Sequence, residues 1–352
     1  MSSVVLITGV SRYLGGRLAA QLAADPSVER VIGIDTVPPA TPDLVRLGRT
    51  EFVRADIRNP LIAKVMGQAQ VTTVVHAALM NSPRLVGGRV PMQEMNVIGT
   101  MQLLGACQKS DTVNRVVVAS TSAVYGSGAR NPAVFTECMH PSDSAQGGYA
   151  RDAVEIEGYV RGFSRRRPDI ETTVLRFANT IGPTIDTALT RYLSMPVVPT
   201  ALGFDPRLQL LHEADAIEAI RRATVASHPG VYNVAGEGVM ALSQIIRRIG
   251  KLRLPVPAGA VDVVGAVVRN SGVIEFSAEQ AQFLSHGRVV DTDKLRNEFG
   301  YTPRYTTPEA LDSFLSGERR LPRLTLASIG AGSRWFQSRA TQSLMPIGGA
   351  GA

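Results

Sequence analysis

The chain has 352 residues, more than one ordinary domain needs and enough for a dinucleotide fold plus a second lobe. Apolar residues make up 44% and charged residues 19%, so a large buried core is expected and disorder is not. The net charge is +7, with a net +4 in residues 317–352, where five arginines face Glu318. Aromatics, at 5%, do not interleave with the basic residues, which argues against a nucleic-acid stacking surface. The charge reads instead as a basic tail plus arginines suited to an anionic small molecule. Cys107 and Cys138 give neither a disulfide framework nor a metal spacing. There is no basic leader before the apolar start and no run of roughly 18 apolar residues. The expectation is a reduced, cytoplasmic protein with no membrane span.

In chain order, short apolar runs alternate with helical patterns through residue 180, the signature of a parallel sheet covered on both faces. Val4–Thr8 reads as a first strand running into Gly9, followed by a helix with Leu14, Leu18 and Leu22 on one face, stopped by Pro26. Further strands are expected at Val31–Ile34, Phe52–Ala55, Thr73–Val75, Val116–Ala119 and Thr172–Leu175. A long helix should place Val97, Met101 and Leu104 on one face, and another should run from Tyr149 to Phe163. Beyond Gly182–Pro183 the alternation loosens, with helices expected at Asp215–Val225, Leu242–Ile249, Ala258–Val268 and Ala278–Leu284. The fold class is therefore α/β, a Rossmann-type doubly wound parallel sheet over residues 1–180. A smaller substrate-binding lobe would occupy 181–316, elements returning to the sheet included, before a basic, flexible tail over 317–352.

The segment Thr8-Gly9-Val10-Ser11-Arg12-Tyr13-Leu14-Gly15 joins the first strand to the first helix. Phosphate suits this place, because a helix N-terminus offers free N–H groups and a partial positive charge. Gly9 and Gly15 have the spacing of a dinucleotide fingerprint, but Arg12 and Tyr13 stand where a middle glycine would be. Asp35, at the end of the second strand, can accept both ribose hydroxyls of NAD and repel the 2′-phosphate of NADP. Asp56, ending the third, could receive the adenine amino group, although a strand-end Asp also serves as a turn cap. Arg12 could pair with a 2′-phosphate or with the pyrophosphate itself. NAD is the expected cofactor.

Ordered segments then resemble a family. TGVSRYLGG, Asp35, the Ala-Asp at 55–56, His-Ala-Ala at 76–78, Asn96 in MNVIGT, STSAVYG at 120–126, Tyr149 with Glu157, RFANTIGP at 176–183, YNVAGEG at 232–238 and RVVDTDKLRNEFGYTP at 288–303 follow one another. Together they resemble the extended short-chain dehydrogenase/reductases, in particular NAD-dependent sugar epimerases and dehydratases of the UDP-glucose 4-epimerase type, over roughly residues 4–315. The resemblance implies that Gly9, Arg12, Tyr13, Leu14, Gly15, Asp35, Asp56, Ile57, Ala77, Ala78, Asn96 and Tyr149 contact the cofactor. It implies that Thr121, with Ser122 as its neighbour, holds the reacting hydroxyl while Tyr149 takes its proton. It further implies a nucleotide-diphosphate sugar as substrate, with Asn179, Arg207 and Arg288 on the diphosphate side, and a homodimer. His76 and His212 match positions of structural kind, and Asp215 is expected to cap the helix that follows it.

One departure is chemical. The family's lysine, four residues after its tyrosine, is here Ala153, and the chain's only lysines are Lys64, Lys109, Lys251 and Lys294. A cation about 4 Å from the phenol oxygen, at an effective dielectric near 20, is worth roughly 4 kcal/mol, or about 3 pKa units. Its loss predicts a weakened base and a looser grip on the cofactor ribose. Two further functions therefore stand beside the epimerase or dehydratase. One is an NAD-binding sensor or scaffold with little turnover, which Ala153 favours. The other is a steroid-type dehydrogenase of the same extended family, to which the apolar run Val261–Val268 lends weight.

Overall fold

The computed structural model describes residues 3–39, 47–79, 87–141, 148–257 and 278–318. The expected helix at Ala258–Val268, the apolar run within it and residues 319–352 of the tail lie outside the described residues. A seven-stranded parallel sheet organises the fold. From one edge to the other its strands are Gly230–Val234, Glu171–Phe177, Arg115–Thr121, Thr73–His76, Ser3–Thr8, Val28–Asp35 and Glu51–Arg54. Each of the six strands read from the sequence is present, and three of them run three or four residues longer than the apolar pattern, because polar ends such as Glu171 and Arg115 also pair.

Successive strand residues point to opposite faces, so each face gathers its own core. Val5, Ile7, Val117 and Ala119 pack beneath Leu18 and Leu22 of the Tyr13–Ala24 helix and Ile217 and Ile220 of the Glu213–Val225 helix. Val4, Leu6, Val116 and Val118 pack against Ile62 and Met66, Leu103 and Leu104, and Ile156, Val160 and Phe163 on the opposite side. The chain thus returns to the sheet after residue 181, supplying one covering helix and the edge strand Gly230–Val234.

The long central helix differs from its expected pattern. It comprises Arg89–Gln93, a wide π turn over Glu94–Ile98, and Gly99–Gln108. Met101 is 42% exposed, while Asn96, Thr100, Leu103 and Cys107 are buried. The five-residue turn rotates the inward face by a fraction of a turn, so Val97, Met101 and Leu104 do not share one buried stripe.

A smaller lobe sits past the carboxyl edge of the sheet. Arg207–Leu208 pairs with Met240–Ala241 on one side and Gly287–Arg288 on the other, and Val197–Ala201 pairs with Leu252–Val256. Its core joins Leu208, Leu210, Leu242, Ile245, Phe283, Leu311 and Phe314. Gly287, at φ +71, would bring a Cβ within 2.2 Å of the Arg207 carbonyl oxygen. Only glycine lets these strands approach, and the approach sets the position of Arg288.

Asp215 does not cap its helix. The N-cap is His212, whose Nδ1 accepts the Ala214 amide, because the helix starts at Glu213 and leaves Asp215 inside the first turn. From there its buried carboxylate accepts Tyr301 Oη at 2.7 Å and the amides of Arg304 and Tyr305. It staples the segment before the last helix to the sheet layer. Among the described residues no helix is long and apolar enough to cross a membrane.

Candidate active site

The strand order reverses between Ser3–Thr8 and Thr73–His76, the place where open α/β sheets hold ligands. The loops leaving those two strands touch there. Gly9 has φ +79, and a Cβ on it would stand 2.9 Å from Ala78 Cα and 3.2 Å from the Ala77 carbonyl oxygen. Arg12 is the extended N-cap of the Tyr13–Ala24 helix, which has neither a side-chain cap nor a carboxylate in its first turn. Its amide N–H groups and positive dipole end are therefore presented to an anion.

Asp35 closes the second strand beside this loop, accepting the Ser11 amide at 3.1 Å and the Thr36 amide at 2.8 Å. The Arg12 guanidinium lies close enough that burial, which lowers its pKa, is partly offset by the Asp35 charge. Tyr13 ties the loop to the smaller lobe. Its hydroxyl is 2.8 Å from Thr184 Oγ1, and Thr184 donates to Glu213 Oε1 at 2.7 Å. Burial, with Glu213 adding to it, pushes the Tyr13 phenol up to about 12.

At the outer end Asp56 receives Arg58 at 2.6 Å and is held below the usual carboxylate range by it. Ile57 packs so closely on Gly99 that a Cβ there would meet it at 2.7 Å. A glycine-bounded turn, an uncapped helix start and a strand-end carboxylate form a donor and acceptor set that fits a dinucleotide.

Past the strand ends lies a cavity of about 620 Å³ lined by Thr121, Tyr149, Asn179, Arg288, Glu279 and Arg89, among others. Leu14 and Ala77 line it too, so the cavity reaches the first helix and the loop after the Thr73–His76 strand. Thr121 ends its strand, accepts the Ala123 amide at 3.1 Å and lines the cavity together with Tyr149. Ser122, its expected neighbour in catalysis, is buried in the following 3-10 turn, outside the lining.

Beneath this floor Glu157 accepts Ser120 Oγ at 2.6 Å and two Arg176 nitrogens, and Arg176 also donates to Tyr125 Oη at 2.7 Å. The Tyr149 phenol is pushed above its ordinary value, chiefly by burial and then by the negative charge of Glu279. Thr121 pulls the other way and Asp152 adds to the rise. Ala153, where a lysine would counter this, is fully buried in the core.

The expected substrate residues separate. Asn179 and Arg288 reach the cavity, and Arg288 is anchored by Gly126 O at 2.9 Å and Ser127 Oγ at 3.1 Å. Burial brings its guanidinium down to about 10, against the pull of Glu279. Arg207 stays exposed on a neighbouring recess of about 300 Å³, which it shares with Arg288 and Ala133.

Asn96, buried in the π turn, donates to Asp152 Oδ2 at 3.0 Å. His76 bridges Thr8 and Thr100, both at 2.8 Å, and burial lowers it to about 4. His212 stacks on Tyr305.

Three residues at this site escape a reading of the sequence. Asp152 lies three positions after Tyr149, a spacing that places both on one helix side and could have drawn notice. Arg89 and Glu279 arrive from distant segments without any motif, and only the tertiary fold brings them in.

A model of the NAD dependent epimerase/dehydratase family matches residues 5–235. An uncharacterized protein of Mycobacterium tuberculosis is 49% identical over 319 residues, 91% of this chain and 85% of its own length. A UDP-glucose 4-epimerase of Rhizobium leguminosarum bv. trifolii is 24% identical over 322 residues, 88% of this chain and 95% of its own. Among solved structures, a UDP-glucuronic acid 4-epimerase of Bacillus cereus with UDP-glucuronic acid and NAD superposes with TM-score 0.70 at 20% identity, covering 91% of this chain and 100% of that one. A dTDP-glucose 4,6-dehydratase of Bacillus anthracis in complex with NAD gives 0.70 at 18% identity, covering 91% and 97%. With most of the doubly wound domain matched, the chain belongs to the NAD dependent epimerase/dehydratase family.

Proposed function

We propose that this protein is an NAD-dependent epimerase or dehydratase of a nucleotide-diphosphate sugar. The observation that carries this reading is one cavity collecting Thr121, Tyr149, Asn179 and Arg288 beyond the strand ends of the dinucleotide domain. Gly9, Gly15 and the helix start would hold the pyrophosphate, Asp35 the adenosine ribose, and Leu14 and Ala77 the inner part of the cofactor. The bound cofactor supplies a hydride acceptor. Thr121 and Tyr149 hold the reacting sugar hydroxyl from two sides, and Asn179 and Arg288 take the diphosphate, for which a planar guanidinium is suited. Ser122 supports Thr121 through the 3-10 turn, and Arg207 stands too far out to be more than a rim charge. Under this reading the sheet domain carries the cofactor and the smaller lobe the sugar nucleotide. A homodimer and a cytoplasmic location accompany it, and light scattering and cell fractionation test them.

The experiment is to denature the purified chain and look for released NAD, then to assay the native protein against UDP-glucose and UDP-galactose. Interconversion, or a ketosugar product, supports the reading. Bound NAD without turnover of any nucleotide sugar favours the second reading, a sensor or scaffold, to which the buried Ala153 and the raised phenol of Tyr149 lend support.

A further inference from the structure

Glu279 begins a helix of the smaller lobe, Ala278–His286, yet its carboxyl lies in the cavity with Tyr149. Oε2 accepts the backbone N–H of Ala150 at 3.2 Å, so the carboxyl is fixed against the residue next to Tyr149. A Cβ on Gly148 would stand 2.9 Å from the same oxygen, which shows how tightly the group is seated. Arg288 approaches from a strand of the smaller lobe, Arg89 from the central helix and Asp152 from the Tyr149 helix, and all three act on its charge. Burial raises its pKa above the usual carboxylate range, while the Ala150 amide, Arg288 and Arg89 restrain the rise. The phenol of Tyr149 is meanwhile held protonated, with two carboxylates and no lysine beside it.

We propose that Glu279 is the proton acceptor of this site, a catalytic residue that does the work usually expected of the tyrosine. This rests on the functional reading above. The sugar O–H bond breaks and its proton goes to a Glu279 oxygen. The C–H electron pair leaves as hydride for the nicotinamide ring, and the carbon–oxygen double bond forms. Tyr149 stays a neutral phenol that donates to the same sugar oxygen, with Thr121 beside it in the cavity lining. In the return step the Glu279 carboxyl gives the proton back as hydride comes in. A general base of this kind contributes roughly 10²- to 10⁴-fold. An ionised carboxyl is required, so the forward rate should fall on the acid side of a raised carboxylate pKa.

The test uses the full chain loaded with NAD, UDP-glucose as probe, and single-turnover absorbance at 340 nm over pH 5–9. Glu279→Gln, which keeps an oxygen for the Ala150 amide, should slow reduction roughly 10²-fold or more at pH 7 and abolish the acid limb. Sugar-nucleotide affinity by calorimetry should move by less than about threefold, as expected for a step after binding. Glu279→Asp should regain part of the rate. A readout independent of turnover is the phenol absorbance near 295 nm, with Tyr149→Phe identifying the signal. Without the Glu279 charge the Tyr149 phenol should titrate at lower pH. A Glu279→Gln variant that keeps the wild-type rate and acid limb, or that leaves the phenol titration unmoved, overturns the proposal. A wild type that reduces no NAD with any nucleotide sugar overturns the functional reading and this role with it. That outcome differs from failure of the role alone, in which wild type and variant reduce NAD equally.

Discussion

The hydroxyls of Tyr13 and Thr184 meet at 2.8 Å although 171 residues separate them in the chain. Through Thr184 the contact continues to Glu213, which also accepts the amides of Thr184 and Ile185. The tyrosine that interrupts the glycine pattern therefore acts as a tie between the loop after the first strand and the smaller lobe. Tyr13→Phe should cost about 1 kcal/mol of unfolding free energy, the net worth of one hydrogen bond. Burial holds the Tyr13 phenol up at about 12, above the ordinary tyrosine value of about 10, so the stability that the buried neutral phenol contributes is complete below pH 10 and is lost as pH rises through 12. Thermal melts followed by circular dichroism should show wild type and variant converging over that alkaline range. A difference that persists at pH 12 would contradict the assignment.

Under the proposed function, Asp35 and Arg12 make opposite demands at the adenosine ribose. Asp35 favours two free hydroxyls, and Arg12, next to it, suits a 2′-phosphate. Asp35→Ser removes the repulsion and leaves Arg12 without its neighbouring charge. The NAD-over-NADP preference should then fall by at least about tenfold, or about 1.4 kcal/mol. Isothermal calorimetry with each cofactor decides it. Equal affinities in the wild type would mean that Arg12, and not Asp35, governs the ribose.

His76 supplies an acid-side prediction. Burial depresses its pKa from 6.5 to about 4, so the neutral ring is the form that bridges Thr8 and Thr100. A depressed value means that the stabilisation is present above pH 6.5 and is lost as pH falls through 4. At roughly 1.4 kcal/mol per unit it amounts to about 3 kcal/mol. Urea unfolding of wild type and His76→Gln should differ most at pH 7, and the gap should close towards pH 4.

Much of this was legible in the residues because it is local. Gly9, Asp35 and the strand after each helix announce themselves by spacing, since a turn, a strand end and a 3.6-residue repeat are short-range requirements. Thr121 and Tyr149 were legible as a pair through ordered motifs. Met101 was misplaced because a π turn leaves no mark that a 3.6 repeat would reveal. Asp215 was misassigned because a carboxylate near a helix start looks like a cap until its partners, Tyr301, Arg304 and Tyr305, are brought in by the fold. Glu279 and Arg89 lie outside any motif, and their significance is entirely tertiary.

Ala153→Lys tests the electrostatic deficit at Tyr149 directly. The residue is fully buried, so the new chain must extend towards the cavity, and Ala153→Met serves as the control for bulk. An ammonium about 4 Å from the phenol should lower the Tyr149 pKa by up to about 3 units. Titration at 295 nm reads this without substrate, and any turnover should gain speed with its pH optimum moved down. A phenol that titrates identically in the lysine and methionine variants would show that the ammonium does not reach it.

Arg89 and Asp152 raise a question of stability beside catalysis. Asp152 is fully buried and receives two Arg89 nitrogens, at 2.8 and 2.6 Å, together with Asn96 Nδ2 at 3.0 Å. The second Arg89 nitrogen also donates to Gly148 O at 2.8 Å, next to Tyr149. Removing one partner of a buried pair strands the other charge, at a cost of about 3–5 kcal/mol. Arg89 itself keeps 35% of its side chain exposed, so the lower end applies and Arg89→Met should destabilise by roughly 3 kcal/mol. Asp152→Leu added to it removes the stranded charge and should restore a good part of the loss. Chemical denaturation of the single and double variants measures both. If the double variant is less stable than Arg89→Met alone, the carboxylate is held chiefly by Asn96 and the backbone, and Arg89 serves the cavity and not the fold.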